Sequence, residues 1–157
     1  MKSALIDTNL VLLLIVGATN KEYLETHKRT RQFTKQDYDL FLSYLSGFGQ
    51  IWITSHCLAE TSNLLKQTNR KQAEELLYSM SVIFGQFKES HISKDYIFSS
   101  DSYLRLGVAD TGFVQKAKHV SCSFTVDFDL YRSVSESGVK IINFNHLRAE
   151  HLYAASG

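Results

Sequence analysis

The segment ALIDTNLVLLLIVG, residues 4–17, is the most apolar stretch of the chain, yet Asp7, Thr8 and Asn9 lie inside it. One interpretation is a buried strand that ends at Asp7, followed by a helix that begins near Asn9. This arrangement would put a carboxylate at the carboxyl end of a core strand. The other interpretation is the hydrophobic part of a secretory signal, with Lys2 before it and small residues after it.

Two features favour the buried strand. The charge of Asp7 cancels that of Lys2 in what should be a positive leader, and cleavage would remove the first hydrophobic element of a small domain. The longest apolar run extends only from Leu10 to Val16, far short of the ~20 residues that a membrane span needs. We therefore expect no signal peptide and no membrane span.

The composition is that of one ordinary globular domain. The chain has 157 residues, of which 44% are hydrophobic and 21% charged, and it contains no proline, repeat or linker. We therefore predict a single domain over residues 1–157. Cys57 and Cys122 are too few for a disulfide framework, so we expect two buried thiols in a cytoplasmic protein. The net charge of +1 gives no overall attraction for nucleic acid, so any such affinity must come from local clusters.

Short apolar runs alternate with helical patterns along the chain. The predicted strands are residues 3–6, the IWITS run at 51–55, a weak strand at 91–93, SCSFTV at 121–126 and VKIINF at 139–144. The predicted helices begin near residue 9, at 37, after IWITS with Thr54 or Ser55 as cap, at 70, and near 130. Two further helices are predicted over about 94–106 and 109–119, with Gly107 as the break between them. This alternation predicts a central parallel sheet covered on both faces, which is a three-layer α/β/α fold.

Several carboxylates lie in apolar local contexts near the ends of these elements. They are Asp7, Glu60 within SHCLAETSNLL, Asp110 at the start of GVADTGFV, and Asp127 after SFTV, with Asp129 two residues later. Each has an ordinary explanation as a helix cap, a solvated helix residue or a turn residue. Ligands of parallel sheets bind at the carboxyl ends of the strands, where strand order reverses. Because three of these acids belong to that edge, we expect them to converge.

Converging carboxylates repel one another. Two unit charges ~5 Å apart cost several kcal/mol at an effective dielectric constant of about 20. A fold keeps such a cluster mainly to bind a hard divalent cation, and Mg²⁺ prefers a few carboxylates together with waters and phosphate oxygens. This pattern indicates metal-assisted hydrolysis of a phosphodiester.

The motifs IDTN, LAE, GVADTGFV and FTVDFDL occur in this order, and the chain resembles the PIN-domain family of metal-dependent ribonucleases. The resemblance extends from Leu5 to the closing INFNHLR. It implies that the four catalytic, metal-binding acids are Asp7, Glu60, Asp110 and Asp127.

The resemblance also covers the polar neighbours of these acids. Thr8 and Asn9 match the residues that follow the first acid and brace the site, and Thr125 matches the threonine two residues before the last acid. Many relatives have adjacent acids at the last motif, whereas here the second acid is Asp129. We favour Asp127 as the metal ligand and keep Asp129 as the second candidate.

The function that this resemblance implies is an Mg²⁺- or Mn²⁺-dependent endoribonuclease. Many small relatives are toxins held inactive by an antitoxin protein, and relatives commonly form homodimers, so both kinds of partner are expectations alongside RNA. The alternative is a non-catalytic PIN-like module that binds RNA or protein. Retention of all four acids disfavours this alternative, because a binding module has no reason to bear their repulsion.

Basic residues cluster in three segments. The first contains Lys28, Arg29, Arg31 and Lys35, the second Lys66, Arg70 and Lys71, and the third Lys116, Lys118 and His119. They are either solvated surface or a phosphate track towards the acids, because a pocket of carboxylates needs other charges to attract a polyanion. We predict RNA contacts for the first segment.

His56 and Glu60 are four residues apart on one predicted helix, a spacing that could bind zinc. No second histidine with a suitable partner is near them in the sequence. We therefore expect a polar contact instead of a zinc site.

Overall fold

The computed structural model describes residues 1–156, in which strands and helices alternate along the chain. The first half contains β1 (Ser3–Ile6), α1 (Thr8–Thr19), α2 (Tyr23–Thr26), α3 (Lys35–Leu45), β2 (Gln50–Thr54), α4 (Ser55–Leu65) and α5 (Arg70–Phe84). The second half contains β3 (Lys88–Ser90), α6 (Lys94–Phe98), α7 (Tyr103–Ala117), β4 (Cys122–Thr125), α8 (Phe128–Glu136), β5 (Ile141–Asn143) and α9 (Phe144–Ser156).

Within the described residues, the strands form one five-stranded parallel sheet in the order β3-β2-β1-β4-β5. The chain leaves β1 first towards β2 and later returns to β4 on the other side, so strand order reverses between β1 and β4. Crevices that bind ligands in open parallel sheets lie at such a reversal. The predicted α/β/α fold is confirmed.

The two faces of the sheet bury different residues of the same strand. Ala4 and Ile6 of β1 lie in the larger core with α1, α3, α4, α5 and α9, whereas Leu5 lies in the smaller core with α7 and α8. This is the alternation expected of a strand with both faces covered. The central strand is therefore shielded on both sides by helices.

The segment that follows Asp7 is a buried helix. Every residue of α1 from Leu10 to Gly17 is buried, which explains why it is apolar on all sides instead of along one stripe. A Cβ on Gly17 would lie 2.2 Å from a ring carbon of Tyr38, so this glycine allows α1 and α3 to approach closely. No helix among residues 1–156 is long and apolar enough to span a membrane.

Most predicted elements are confirmed, and the differences occur where the apolar pattern is weak. Thr54 caps α4 by accepting a hydrogen bond from Cys57 N–H. The strand predicted at 91–93 is wrong, because β3 lies three residues earlier as a polar edge strand. The helix predicted over residues 94–106 is divided between α6 and the start of α7. Neither α2 nor α9 was predicted.

Gly107 interrupts α7 with φ +82° and ψ −173°, at the position where the sequence predicted a break between two helices. This backbone region is open essentially to glycine alone. A new helical segment begins after it, and Asp110 lies in the first turn of that segment. The conformation of Gly107 therefore determines where the helix that carries Asp110 begins.

We predict that Gly107→Ala lowers the free energy of unfolding by about 1–3 kcal/mol. Alanine is strained at this φ, although its Cβ would have no heavy atom within 4 Å and so would not clash. Gly47→Ala is the matched control, since Gly47 is exposed and the nearest atom to its Cβ would be 3.8 Å away. Denaturant unfolding measures both. Equal unfolding free energies for the two variants would contradict the prediction.

Candidate active site

The reversal of strand order brings together two segments that are distant in sequence. The backbone N–H of Asp7, just after β1, donates to the carbonyl oxygen of Phe124 in β4 at 3.1 Å. Asp7 and Thr125 therefore lie side by side at the carboxyl edge of the sheet. Asp127 follows Thr125 by two residues.

The Asp7 carboxylate is held by two hydrogen bonds. One oxygen accepts from Thr8 N–H at 2.8 Å, which caps α1, and the other accepts from the Thr125 hydroxyl at 2.9 Å. The same hydroxyl oxygen accepts from Asp127 N–H at 3.0 Å. Thr125 is fully buried, so this chain of hydrogen bonds fixes Asp7 relative to the backbone of Asp127.

The environment of Asp7 disfavours its charged form. Burial is the largest cause and raises its pKa from 3.8 to about 6, and the charges of Asp110 and Asp127 add to the increase. The hydrogen bonds from Thr8 and Thr125 oppose it by stabilising the carboxylate. Asp7 is therefore an acid fixed in place whose charge destabilises the fold.

Asp110 is perturbed in the same direction. Its half-buried position on α7 raises its pKa from 3.8 to about 6, and the charges of Asp127 and Glu60 contribute further. Electrostatic effects thus connect Asp7, Asp110, Asp127 and Glu60, although the last two side chains are exposed. The four predicted acids share one electrostatic environment.

Asp127 and Asp129 lie in different surroundings. Asp127 caps α8 by accepting from Leu130 N–H at 3.1 Å. Asp129 lies in the first turn of the helix, in a cleft that it shares with Arg105 and Arg132. Of these two carboxylates, only Asp127 contributes to the raised pKa values of Asp7 and Asp110. Asp127 is thus bonded to the residue that holds Asp7, whereas Asp129 lines a different cleft, and Asp127 as the metal ligand stays a prediction.

Thr8 and Asn9, the other predicted bracing residues, lie in the first turn of α1. Thr8 is buried and Asn9 is half-buried. Burial raises the pKa of the nearby Cys57 thiol to about 12, although hydrogen bonds from Thr8 and Thr61 act in the opposite direction. Cys57 and Cys122 are both buried thiols, as predicted.

The polar contact predicted for His56 is not formed at its buried nitrogen. Among the described residues, nothing hydrogen-bonds to Nδ1 of His56. This atom lies 3.6 Å from the position that a Cβ on Gly112 would take, where α4 and α7 pack together. His56 is therefore a packing residue between these two helices.

Asp7, Glu60, Asp110 and Asp127 as direct metal ligands stay a prediction. Within residues 1–156, no three His, Cys, Asp or Glu side chains are arranged so that they could hold a metal ion. Asp7 and Asp127 each direct one carboxylate oxygen towards the helix N-terminus that they cap. The donor chemistry nevertheless fits Mg²⁺ or Mn²⁺, because the oxygens are hard ligands and Mg²⁺ keeps waters while binding through one or two carboxylates.

Two side chains of the first basic segment form polar contacts with other parts of the chain. Arg29 Nε donates to the Gln67 side chain at 2.6 Å, and Lys35 forms an ion pair with Glu22. Lys28 and Arg31 are exposed. Two of the four predicted RNA-binding side chains therefore already have protein partners.

Comparison with models of protein families and with curated proteins found no match to this chain.

We predict that Asp7→Asn raises the free energy of unfolding by about 1 kcal/mol at pH 7.5 in chelator. The raised pKa of Asp7, about 6, corresponds to a penalty of about 3 kcal/mol on its charged form, and the lost charged hydrogen bond from Thr125 offsets about 2 kcal/mol of the gain. The penalty is complete above pH 6 and absent below 3.8, whereas the hydrogen bond from Thr125 is lost at every pH. The advantage of Asp7→Asn should therefore fall as the pH falls through this interval and become a disadvantage of about 1 kcal/mol at its lower end. Denaturant unfolding at several pH values measures it.

Asp129→Asn is the control, because it removes an exposed carboxylate that does not contribute to the pKa of Asp7. This variant should unfold like the wild type at each pH. If Asp7 were only a helix cap, asparagine would cap about as well and Asp7→Asn would also match the wild type.

Proposed function

We propose that this protein is an Mg²⁺- or Mn²⁺-dependent endoribonuclease of the PIN-domain type that hydrolyses RNA phosphodiester bonds. The observation that carries the proposal is the junction beside the reversal of strand order, where Thr125 links the Asp7 carboxylate to the backbone of Asp127. The electrostatic influence of Asp110, Asp127 and Glu60 at this junction supports it. Perturbed carboxylates that act on one another at such a position are typical of functional sites.

The acids would hold the cation that the substrate requires. When bound, a divalent metal supplies positive charge to the phosphate and lowers the pKa of a coordinated water. A cation would stabilise Asp7 and Asp110 most, because the raised pKa of each means that its charged form is disfavoured when no cation is bound. Asp127 and Glu60 would complete the negative surface from the solvent side.

The surrounding hydrogen bonds would keep the carboxylates in position during the reaction. Thr125 donates to Asp7 and accepts from the backbone N–H of Asp127, so the Asp7 carboxylate is fixed relative to the backbone of Asp127. Fixed groups of this kind avoid reorganisation when charge develops on the reacting phosphate. Thr125 would therefore act as a positioning residue.

We further propose that the protein acts in the cytoplasm as the toxin of a toxin–antitoxin pair, with an antitoxin protein and a second copy of the chain as partners. Support for this part comes from the resemblance to small toxin-type PIN proteins and from the two buried thiols.

A non-catalytic PIN-like module that binds RNA or protein is the second candidate. One observation favours it, namely that the Asp7 and Asp127 carboxylates cap helices, which is an ordinary structural role. The two candidates differ in whether the acids act on RNA in the presence of metal, so measurement of cleavage distinguishes them.

We predict that the purified protein cleaves single-stranded RNA with Mg²⁺ or Mn²⁺ and that chelator abolishes cleavage. Asp110→Asn should lower the rate at least about a hundredfold, because it removes a charge that the bound cation would need. Asp129→Asn, which lies apart from the four acids, should keep most of the activity. Equal cleavage by wild type and Asp110→Asn, or cleavage that persists in chelator, would refute the assignment.

We also predict that Mg²⁺ at a hundredfold excess over its dissociation constant stabilises the wild type by about 2.7 kcal/mol relative to chelator. Asp7→Asn and Asp110→Asn should lose most of this stabilisation, whereas Asp129→Asn should retain it. Thermal melts with metal and with chelator provide the measurement. A response to metal that is equal in all four proteins would show that the ion binds elsewhere.

A further inference from the structure

Two adjoining clefts lie along α7, on the side of the sheet that carries the smaller core. The first has a volume of about 440 Å³ and contains Arg105, Lys118 and five serines, which are Ser99, Ser100, Ser102, Ser133 and Ser137. The second has a volume of about 360 Å³ and contains Lys116, His91 and His119. Tyr96 and Gln115 line both clefts, so we describe the two together as the α7 groove.

The cations of the α7 groove lack acidic partners. Among residues 1–156, no ion pair includes Arg105, Lys116 or Lys118, whereas Arg132 and Lys94 nearby are paired with Glu136 and Asp95. The first cleft is lined by one carboxylate, Asp101, and two cations, Arg105 and Lys118, so the net charge of its lining is positive. Arg105 also borders the separate cleft that contains Asp129 and Glu136, so the excess positive charge of the groove comes mainly from Lys116 and Lys118.

Neutral hydrogen bonds hold these cations in place. Arg105 Nη1 donates to the hydroxyl of buried Ser133 at 2.8 Å, and Lys118 Nζ lies 3.5 Å from the Gln115 side-chain oxygen. Lys116 Nζ lies 3.6 Å above the Trp52 ring, and burial lowers its pKa. Because the partners of Arg105 and Lys118 are uncharged, their charges remain available to a ligand anion. Serine hydroxyls beside them can donate further hydrogen bonds to phosphate oxygens.

An exposed aromatic ring lies where the two clefts meet. The Tyr96 side chain is 54% exposed, and the neighbouring Phe98 is 53% exposed and packs on Tyr103 at a centroid distance of 5.0 Å. Proteins that bind single-stranded nucleic acid combine a positive groove with aromatic rings on which bases stack. The α7 groove contains both features.

The groove continues along the helix that carries one of the proposed catalytic acids. Lys118 is eight residues beyond Asp110, which corresponds to about 12 Å along the helix axis. A strand that occupies the groove would thus reach the acids within a few nucleotides. The acids themselves repel phosphate, so cations beside them would supply the attraction.

We propose that the α7 groove binds the single-stranded RNA substrate on one side of the acids, with Arg105 and Lys118 contacting phosphates and Tyr96 stacking on a base. This inference deepens the proposed function and rests on it for the identity of the ligand. It also differs from the prediction that assigned RNA to residues 28–35, because it relies on a cleft and on an arginine that the basic clusters did not include.

The charge of the groove is tested with a short fluorescein-labelled single-stranded RNA by fluorescence anisotropy in chelator at several salt concentrations. Arg105→Gln with Lys118→Gln should weaken binding and reduce the slope of log K against log salt by about 1.4, since each phosphate that a cation neutralises adds ~0.7 to that slope. The control is Lys2→Gln with Lys140→Gln, which removes the same charge from the amino edge of the sheet. Lys118→Gln alone, at an exposed position, should produce about half the change in slope.

The ring is tested in the same assay. Tyr96→Ala should weaken binding about fivefold or more without changing the salt slope, and Tyr96→Phe should bind like the wild type, because stacking needs the ring and not the hydroxyl. Tyr78→Ala is the matched control, since Tyr78 is 72% exposed on α5, in the other helix layer. Thermal melts establish that each variant is folded.

The outcomes separate this inference from the proposed function. If the wild type fails to bind the RNA, or if the groove variants bind no worse than their controls, the groove assignment is overturned whether or not RNA is cleaved. If the groove variants bind less well while the wild type shows no metal-dependent cleavage, the groove stands as an RNA-binding surface and the nuclease proposal fails.

Discussion

The hydrogen bonds of Asp7 connect the parts of the fold on which the candidate site depends. Its carboxylate accepts one bond from the first turn of α1 and another from Thr125 at the end of β4, while its backbone N–H is bonded to Phe124. One residue therefore ends the central strand, begins the most buried helix and fixes the neighbouring strand. The reversal of strand order occurs at this junction.

The same interactions explain why a buried carboxylate is tolerated there. Burial disfavours the charge of Asp7, and two hydrogen bonds recover part of that cost. The remaining cost appears as a raised pKa, and Asp110 bears a similar one on α7. A cation would relieve both, which is why the proposed function assigns one to this edge.

Charge is divided between two regions of the molecule. Acids occupy the carboxyl edge around Asp7 and Asp110, whereas unpaired cations lie along the same α7 helix beyond Asp110. A chain with a net charge of +1 attracts a polyanion only through such local separation. The groove would thus attract the RNA, and the acids would bind the metal.

The sequence by itself determined the elements that have a strong apolar pattern or a residue type that caps or breaks a helix. The strands β1, β2 and β4, the cap at Thr54 and the break at Gly107 were predicted because buried strands need apolar residues and because caps and positive φ values need particular side chains. The polar edge strand β3 lacks such a pattern, and its position depends on pairing with β2. The tertiary structure also fixes where Asp127 lies, because its N–H is bonded to Thr125 at the end of β4 and its carboxylate caps α8. Only the tertiary structure brings Arg105, Lys118 and Ser133 into one cleft, because residues far apart in the chain meet there when α7 packs against α8.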